Sequence, residues 1–308
     1  MEGIVIKSTG SFYVVRIGGV GEAICSIRGK LRLKGFRTTN PVTVGDIVDV
    51  DMENEAKGDF VITHIHERKN YLIRKSTNLS KESHILAANI DQVLVLVTLS
   101  QPETSTVFID RFLVTAEAYN ITAILCFNKI DLYSDEELTA LKSLKRSYQK
   151  AGYDCYEISV TENRNLNELS CVLKDKTTVL AGLSGVGKSS LINKLEPTLN
   201  LKTDDISEAH NTGKHTTTFA EMFPLHGGGY IIDTPGIRSF GLIDMKKEEL
   251  SHYFPEIFKA SEDCRFYNCT HIHEPGCAVL KAVKEGGISE SRYLSYCSLM
   301  EDEGGKYR

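Results

Sequence analysis

Ala181-Gly182-Leu183-Ser184-Gly185-Val186-Gly187-Lys188-Ser189-Ser190 decides how the rest of the chain is read. Four strand-prone residues, Thr178-Val179-Leu180-Ala181, run into the pattern G-x-x-x-x-G-K-S, and a helix-forming run, Ser190-Leu191-Ile192-Asn193-Lys194-Leu195, follows. Strand, glycine-rich loop and helix in that order form a phosphate cradle. Gly182, Gly185 and Gly187 let the backbone turn its N–H groups inward, and the helix start adds a positive end that favours a polyanion. Leu183, Ser184, Val186 and Ser190 complete the loop. Lys188 is placed to reach the β and γ phosphates, and the Ser189 hydroxyl to ligate Mg²⁺.

Upstream, strands alternate with helical stretches from about residue 69, which predicts a parallel α/β sheet. Gln92 to Thr98 reads as a buried strand, residues 110–119 as a helix, and Ile121 to Phe127 as a second strand. That strand ends in Asn128-Lys129-Ile130-Asp131, at the edge of the sheet where ligands bind. A carboxylate at Asp131 accepts two hydrogen bonds from the guanine N1–H and 2-amino group, which adenine lacks. Asn128 is expected on the other edge of the purine, and the Lys129 stem along the base. After a helix over 135–151, the strand Cys155 to Ile158 leads to Ser159-Val160, a loop expected to offer a backbone N–H to the guanine oxygen.

Downstream, Asn211-Thr212-Gly213-Lys214-His215-Thr216-Thr217-Thr218 lies where a first nucleotide-sensing switch belongs, with Thr217 favoured over Thr216 as the Mg²⁺ ligand. A strand from Gly229 ends in Asp233-Thr234-Pro235-Gly236, where Asp233 would hold the metal through water and the Gly236 N–H would meet the γ-phosphate. In an ordinary GTPase the phosphate loop precedes N-K-x-D. Here the order is reversed, so the sheet is circularly permuted and the second switch runs directly into the C-terminal segment.

Residues 1–68 alternate short β-prone runs with glycine turns, and five strands predict a small barrel, an OB fold first and an SH3-like barrel second. Between its third and fourth strands Arg28, Lys30, Arg32, Lys34 and Arg37 make a basic loop without an acid. Such a loop can follow an RNA backbone, or it can be a solvated turn balanced by the acids of residues 46–59.

Residues 244–308 form the third predicted domain, after a GTPase domain over 69–243. A helix capped by Asp244 is expected to present Leu250, Phe254, Ile257 and Phe258 on one face, and a tail helix to run from Ser289 to Glu303. Between them, Cys264, Cys269, Cys277 and His271 make the donor set of a closed structural zinc site, with His273 as the rival histidine. The remaining five of the eight cysteines are scattered, so the chain is not a disulfide framework.

No segment of the 308 residues reads as a leader or a membrane span, and the chain reads as cytosolic. A net charge of −5 confines any nucleic-acid contact to local patches.

Barrel, permuted GTPase motifs and the C-x₄-C-x-H-x₅-C cluster together resemble the RsgA family, permuted GTPases of small ribosomal subunit biogenesis. The resemblance implies that barrel and zinc domain clasp the maturing small subunit and its ribosomal RNA, and that hydrolysis of GTP to GDP releases a monomeric, cytoplasmic, membrane-free protein. Many GTPases place a water-orienting glutamine directly after the glycine matched by Gly236, and this chain has Ile237. His215 is the polar candidate for that task, with Arg238 or a ribosomal group as alternatives. A different class of function, a GTP-dependent RNA-binding placeholder whose occupancy alone matters, would release equally with GTP and a non-hydrolysable analogue.

Overall fold

The computed structural model describes residues 1–9, 12–28, 41–54, 59–75, 83–201, 220–233 and 246–301. Strands β1 (Glu2–Ser8), β2 (Tyr13–Ile17), β3 (Gly21–Ile27), β4 (Ile47–Asn54) and β5 (Asp59–Ile65) begin the chain. They pair in the order β1-β2-β3-β5-β4, and β4 pairs back onto β1 through Gly3↔Val48 and Ile4↔Ile47, which closes the barrel. Alternation makes this possible: Tyr13, Val15 and Ile17 of β2 and Ala23, Cys25 and Ile27 of β3 all point into one core with Val5, Val48, Val50 and Ile62. The parallel β3–β5 pair and the closed five-strand order are those of an OB-like barrel.

A hairpin not anticipated from sequence, β6 (Tyr71–Lys75) and β7 (Ser83–Ala88), follows. Next come β8 (Gln92–Val97), α1 (Thr106–Ala118), β9 (Thr122–Phe127), α2 (Asp135–Lys150), β10 (Asp154–Glu157), α3 (Leu166–Leu173), β11 (Thr177–Ala181), α4 (Lys188–Leu195), β12 (Glu221–Pro224) and β13 (Tyr230–Asp233). Every residue of β8 is buried, as in a strand covered on both faces. Ser105 caps α1 by accepting from the Phe108 N–H, and Ser134 with Glu137 forms a reciprocal capping box at α2.

The chain divides into two compact units, each assembled from separated stretches. The first comprises Met1–Val93, Ser170–Ala181 and Ser189–Ile237. In it, β11 runs parallel to β13, β13 antiparallel to β12, and β12 meets the barrel at Lys7↔Glu221. The second comprises Leu94–Leu169, Gly182–Lys188 and Arg238–Arg308. It holds the order β10-β9-β8 and the C-terminal helices α5 (Pro255–Ser261), α6 (Ala278–Lys284) and α7 (Glu290–Glu301).

The first C-terminal helix departs from expectation. Lys247–Tyr253 is a 3-10 segment, and Pro255 starts a separate helix, because proline suits a first turn and not a helix interior. Leu250, Phe254 and Ile257 are buried as expected, whereas Phe258 is exposed. Their core also takes in Val114 of α1 and Tyr296 of α7.

Candidate nucleotide and metal sites

Asn128 is the centre of the base-side corner. Its side chain is buried; Nδ2 donates to the Val186 carbonyl at 2.8 Å, and Oδ1 accepts from the Val160 N–H at 3.3 Å. The Tyr133 hydroxyl donates to the Asn128 carbonyl at 2.7 Å and accepts from the Leu99 N–H at 2.8 Å. One amide therefore ties the phosphate loop to the Ser159-Val160 loop. Lys129, in the left-handed region at φ +64°, donates from Nζ to the Gln101 carbonyl at 2.5 Å.

Asp131 supplies the acceptor. Its Oδ2 accepts from the Thr161 hydroxyl at 3.3 Å, while Oδ1 is closed to water and has no hydrogen-bond partner. The Ser159 hydroxyl beside it holds the carboxyl below the usual range. An ionised oxygen shielded from water and left unmatched is costly, so this atom suits a ligand that brings N–H donors. The guanine edge brings two.

The phosphate loop could be built only from glycine at two places. A Cβ on Gly182, at φ +144°, would stand 2.5 Å from the Leu96 carbonyl oxygen, and one on Gly187, at φ +101°, would stand 2.6 Å from Asn128 Nδ2. Gly185, Leu183, Ser184 and Val186 follow the loop between them, Val186 buried. Lys188 Nζ donates to the Gly182 and Leu183 carbonyls at 2.9 and 2.7 Å, so its ammonium is held on the loop itself. Ser189 is buried and Ser190 half-buried in the first turn of α4. Asp233 closes β13 in register with Leu180, two residues before Gly182.

The C-terminal segment gathers Cys264, Cys269, His271 and Cys277, with their ligand atoms all within 4.8 Å of one another. His271 Nδ1 lies 3.6 Å from both Cys264 Sγ and Cys277 Sγ, and the two sulfurs are 3.9 Å apart. Four donors about 2.0–2.3 Å from a central ion in a tetrahedron are separated by roughly 3.5–3.8 Å. The cluster fits zinc and could hold it. His271 sits at φ +60°, and its carbonyl accepts from the Tyr293 hydroxyl at 2.8 Å. Glu274 braces the same turn by accepting from the N–H groups of Thr270, Ile272 and His273. His273 is exposed and outside the cluster.

Residues 65–243 match the model of the RsgA GTPase and residues 2–60 that of the RsgA N-terminal domain. A Bacteroides fragilis protein named Small ribosomal subunit biogenesis GTPase RsgA is 55% identical over all of this chain and 99% of its own length. The chain belongs to the RsgA GTPase family. A Porphyromonas gingivalis relative of the same name is 54% identical over 100% of this chain and 99% of its own. Among solved structures, YjeQ from Thermotoga maritima superposes with a TM-score of 0.82 at 35% identity, covering 99% of each chain. YloQ, described as a circularly permuted GTPase, gives 0.75 at 34% identity, over 97% of this chain and 93% of its own.

Several residues singled out in this RsgA-family sequence lie outside the described residues: His215, Thr216, Thr217, Gly236, Ile237, Arg238, and, in the basic loop, Lys30, Arg32, Lys34 and Arg37. Arg28 is exposed just after β3, and its backbone N–H donates to the Ile62 carbonyl at 3.1 Å. Sequence reasoning missed the clamping duty of Asn128, the Tyr133 strut beneath it and the Glu274 brace.

Proposed function

We propose that the chain hydrolyses GTP to time its own release from the maturing small ribosomal subunit. The observation that carries the guanine reading is Asp131 Oδ1, shielded from water and unmatched beside an Asn128 whose amide is already committed to two loops. Guanine N1–H and the 2-amino group satisfy that carboxylate, and adenine would leave it unpaired. Asn128, Lys129, Asp131, Ser159 and Val160 then hold the base, residues 182–190 the phosphates, and Asp233 and Gly236 the end nearest the γ-phosphate. Ser189 and Thr217 would hold Mg²⁺, which supplies charge neutralisation at the β and γ oxygens.

Cys264, Cys269, His271 and Cys277 act as a closed zinc site that stabilises a segment too short to hold itself. The barrel, with Arg28, Lys30, Arg32, Lys34 and Arg37, contacts ribosomal RNA in the cytoplasm, the protein acting as a monomer in three functional segments, 1–68, 69–243 and 244–308. His215 orients the attacking water in the absence of a glutamine after Gly236. The names of the relatives support the subunit as partner.

Turnover measured with separated small subunits, large subunits or neither tests this. Small subunits should raise the rate by about 10³-fold or more if they order or supply the missing group. Stimulation by large subunits alone overturns the partner, and a His215→Ala variant with full stimulated turnover removes the histidine from the role.

A further inference from the structure

A carboxylate meets two hydrogen-bond donors at once only when its plane is set. The terminal torsion of an aspartate is broad, so the Asp131 carboxyl turns readily unless a group besides the base fixes it. Guanine presents N1–H and the 2-amino group side by side, and both find an acceptor only when the carboxyl plane lies along the purine edge. The group that fixes it is the Thr161 hydroxyl, which donates to Asp131 Oδ2 at 3.3 Å, across the carboxyl from the shielded Oδ1. An ionised carboxylate has about four acceptor sites, so one hydroxyl leaves room for both guanine donors.

Thr161 is held by the backbone around it and not by packing. Its side chain is exposed, on a turn that Ser159 and Arg164 close by exchanging N–H bonds of 3.3 and 3.0 Å. Within the turn, the Val160 N–H donates to Asn128 Oδ1 at 3.3 Å and the Glu162 N–H to the Ser159 hydroxyl at 3.0 Å. The Ser159 and Thr161 hydroxyl oxygens are 3.4 Å apart. The Thr161 proton is committed to Asp131, so at that contact Ser159 is the donor. Protons are therefore directed one way, from the Glu162 N–H through Ser159 and Thr161 to Oδ2, and such chains strengthen their last member. An exposed side chain with this duty adds little to the core, so its hydroxyl can be removed with the fold intact.

We infer that Thr161 is a specificity-determining residue, whose hydroxyl orients the Asp131 carboxylate so that the 2-amino group of guanine is read together with N1–H. The inference rests on Asp131 as the guanine acceptor, as proposed above.

Inosine diphosphate isolates the second hydrogen bond, because hypoxanthine keeps N1–H and lacks the 2-amino group. Competition of GDP and inosine diphosphate against a fluorescent GDP measures both affinities. The parent should prefer GDP by about ten- to a hundred-fold, the worth of one hydrogen bond to a charged acceptor. Thr161→Val keeps the branched shape and removes the hydroxyl, and should cut that preference by roughly three- to ten-fold, with Thr161→Ser restoring it. Its unfolding midpoint without nucleotide should match the parent's. Equal weakening of both diphosphates would mark a merely structural role and overturns the inference, as does a preference unchanged in Thr161→Val or unrestored in Thr161→Ser. Asp131→Asn separates this failure from a deeper one. If it abolishes the preference while Thr161→Val retains it, only the inference falls; if it too keeps the parent's preference, the base-site reading falls and takes the inference with it.

Discussion

Arg292 and Asp110, 182 residues apart in sequence, meet inside the second unit with Nη1 and Oδ1 separated by 2.7 Å and both side chains closed to solvent. The same guanidinium grips Glu256 twice, Nε to Oε1 at 2.7 Å and Nη2 to Oε2 at 3.0 Å, and stands 4.6 Å from the centre of the Phe254 ring. α1, α5 and α7 are thereby pinned to one cation. Helix α1 starts just after the Gln101 loop that receives Lys129, so the C-terminal segment is fastened to an element bordering the base-side corner.

Burial raises the Asp110 carboxyl and Arg292 opposes the shift. Removing the cation leaves two carboxylates without their partner. Arg292→Met should destabilise the protein by about 3–5 kcal/mol at pH 8, read from denaturant unfolding. In that variant the buried Asp110 carboxyl, no longer opposed by the guanidinium, titrates above its unfolded value. The folded state then binds more protons, stability falls as pH rises through the folded pKa of Asp110, and part of the loss should return at lower pH. A loss that does not change between pH 5 and pH 8 would show that the carboxylates are not the source.

Asp131→Asn should weaken guanine nucleotides by roughly 10²- to 10⁴-fold, the worth of two hydrogen bonds to a charged acceptor. Its amide donates where the carboxylate accepted, so xanthine nucleotides, which carry a carbonyl in place of the 2-amino group, should gain. Titration of the variant with both nucleotides checks the exchange. An unchanged preference for guanine would remove Asp131 from base recognition.

The motifs that carry phosphate and guanine chemistry were legible because backbone geometry dictates them. Gly182 and Gly187 sit where any Cβ would strike Leu96 or Asn128, and spacing alone exposes such positions. The five barrel strands were legible through alternation, as in Tyr13, Val15 and Ile17. Arg292 was not. An arginine in a helix that also carries Glu290, Glu301 and several serines reads as part of a solvated face, and its two partners are 182 and 36 residues distant. The choice between His271 and His273 was equally closed to spacing, since it depends on the left-handed turn at His271 and on Tyr293 holding that carbonyl.

The Ser159 hydroxyl is the largest influence holding the Asp131 carboxyl below its ordinary value of 3.8. A depressed carboxyl stays ionised as pH falls past that value, so guanine nucleotide affinity should be flat from pH 7 down to about pH 5 in the parent. Ser159→Ala removes that hydroxyl and lets the carboxyl rise, so its affinity should begin to fall at higher pH. Binding of a fluorescent GDP across pH 4–7 reads both curves. Superimposable acid limbs would mean that Ser159 does not set the charge of Asp131.

His271→Ala and His273→Ala should part company. His271 is buried with Nδ1 facing two sulfurs, so its loss opens the cluster and zinc content should fall from about one ion per chain towards none. His273 is exposed and lends only its backbone N–H to Glu274, which alanine retains, so its variant should keep the ion. Because Cys277 caps α6 and the cluster core includes Tyr296, metal loss should also lower the unfolding midpoint of the C-terminal segment. GTP binding should survive, as the bonds of Asn128 to Val186 and Val160 and of Asp131 to Thr161 involve no residue of the C-terminal segment. Equal zinc content in the two variants would overturn His271 as the fourth ligand.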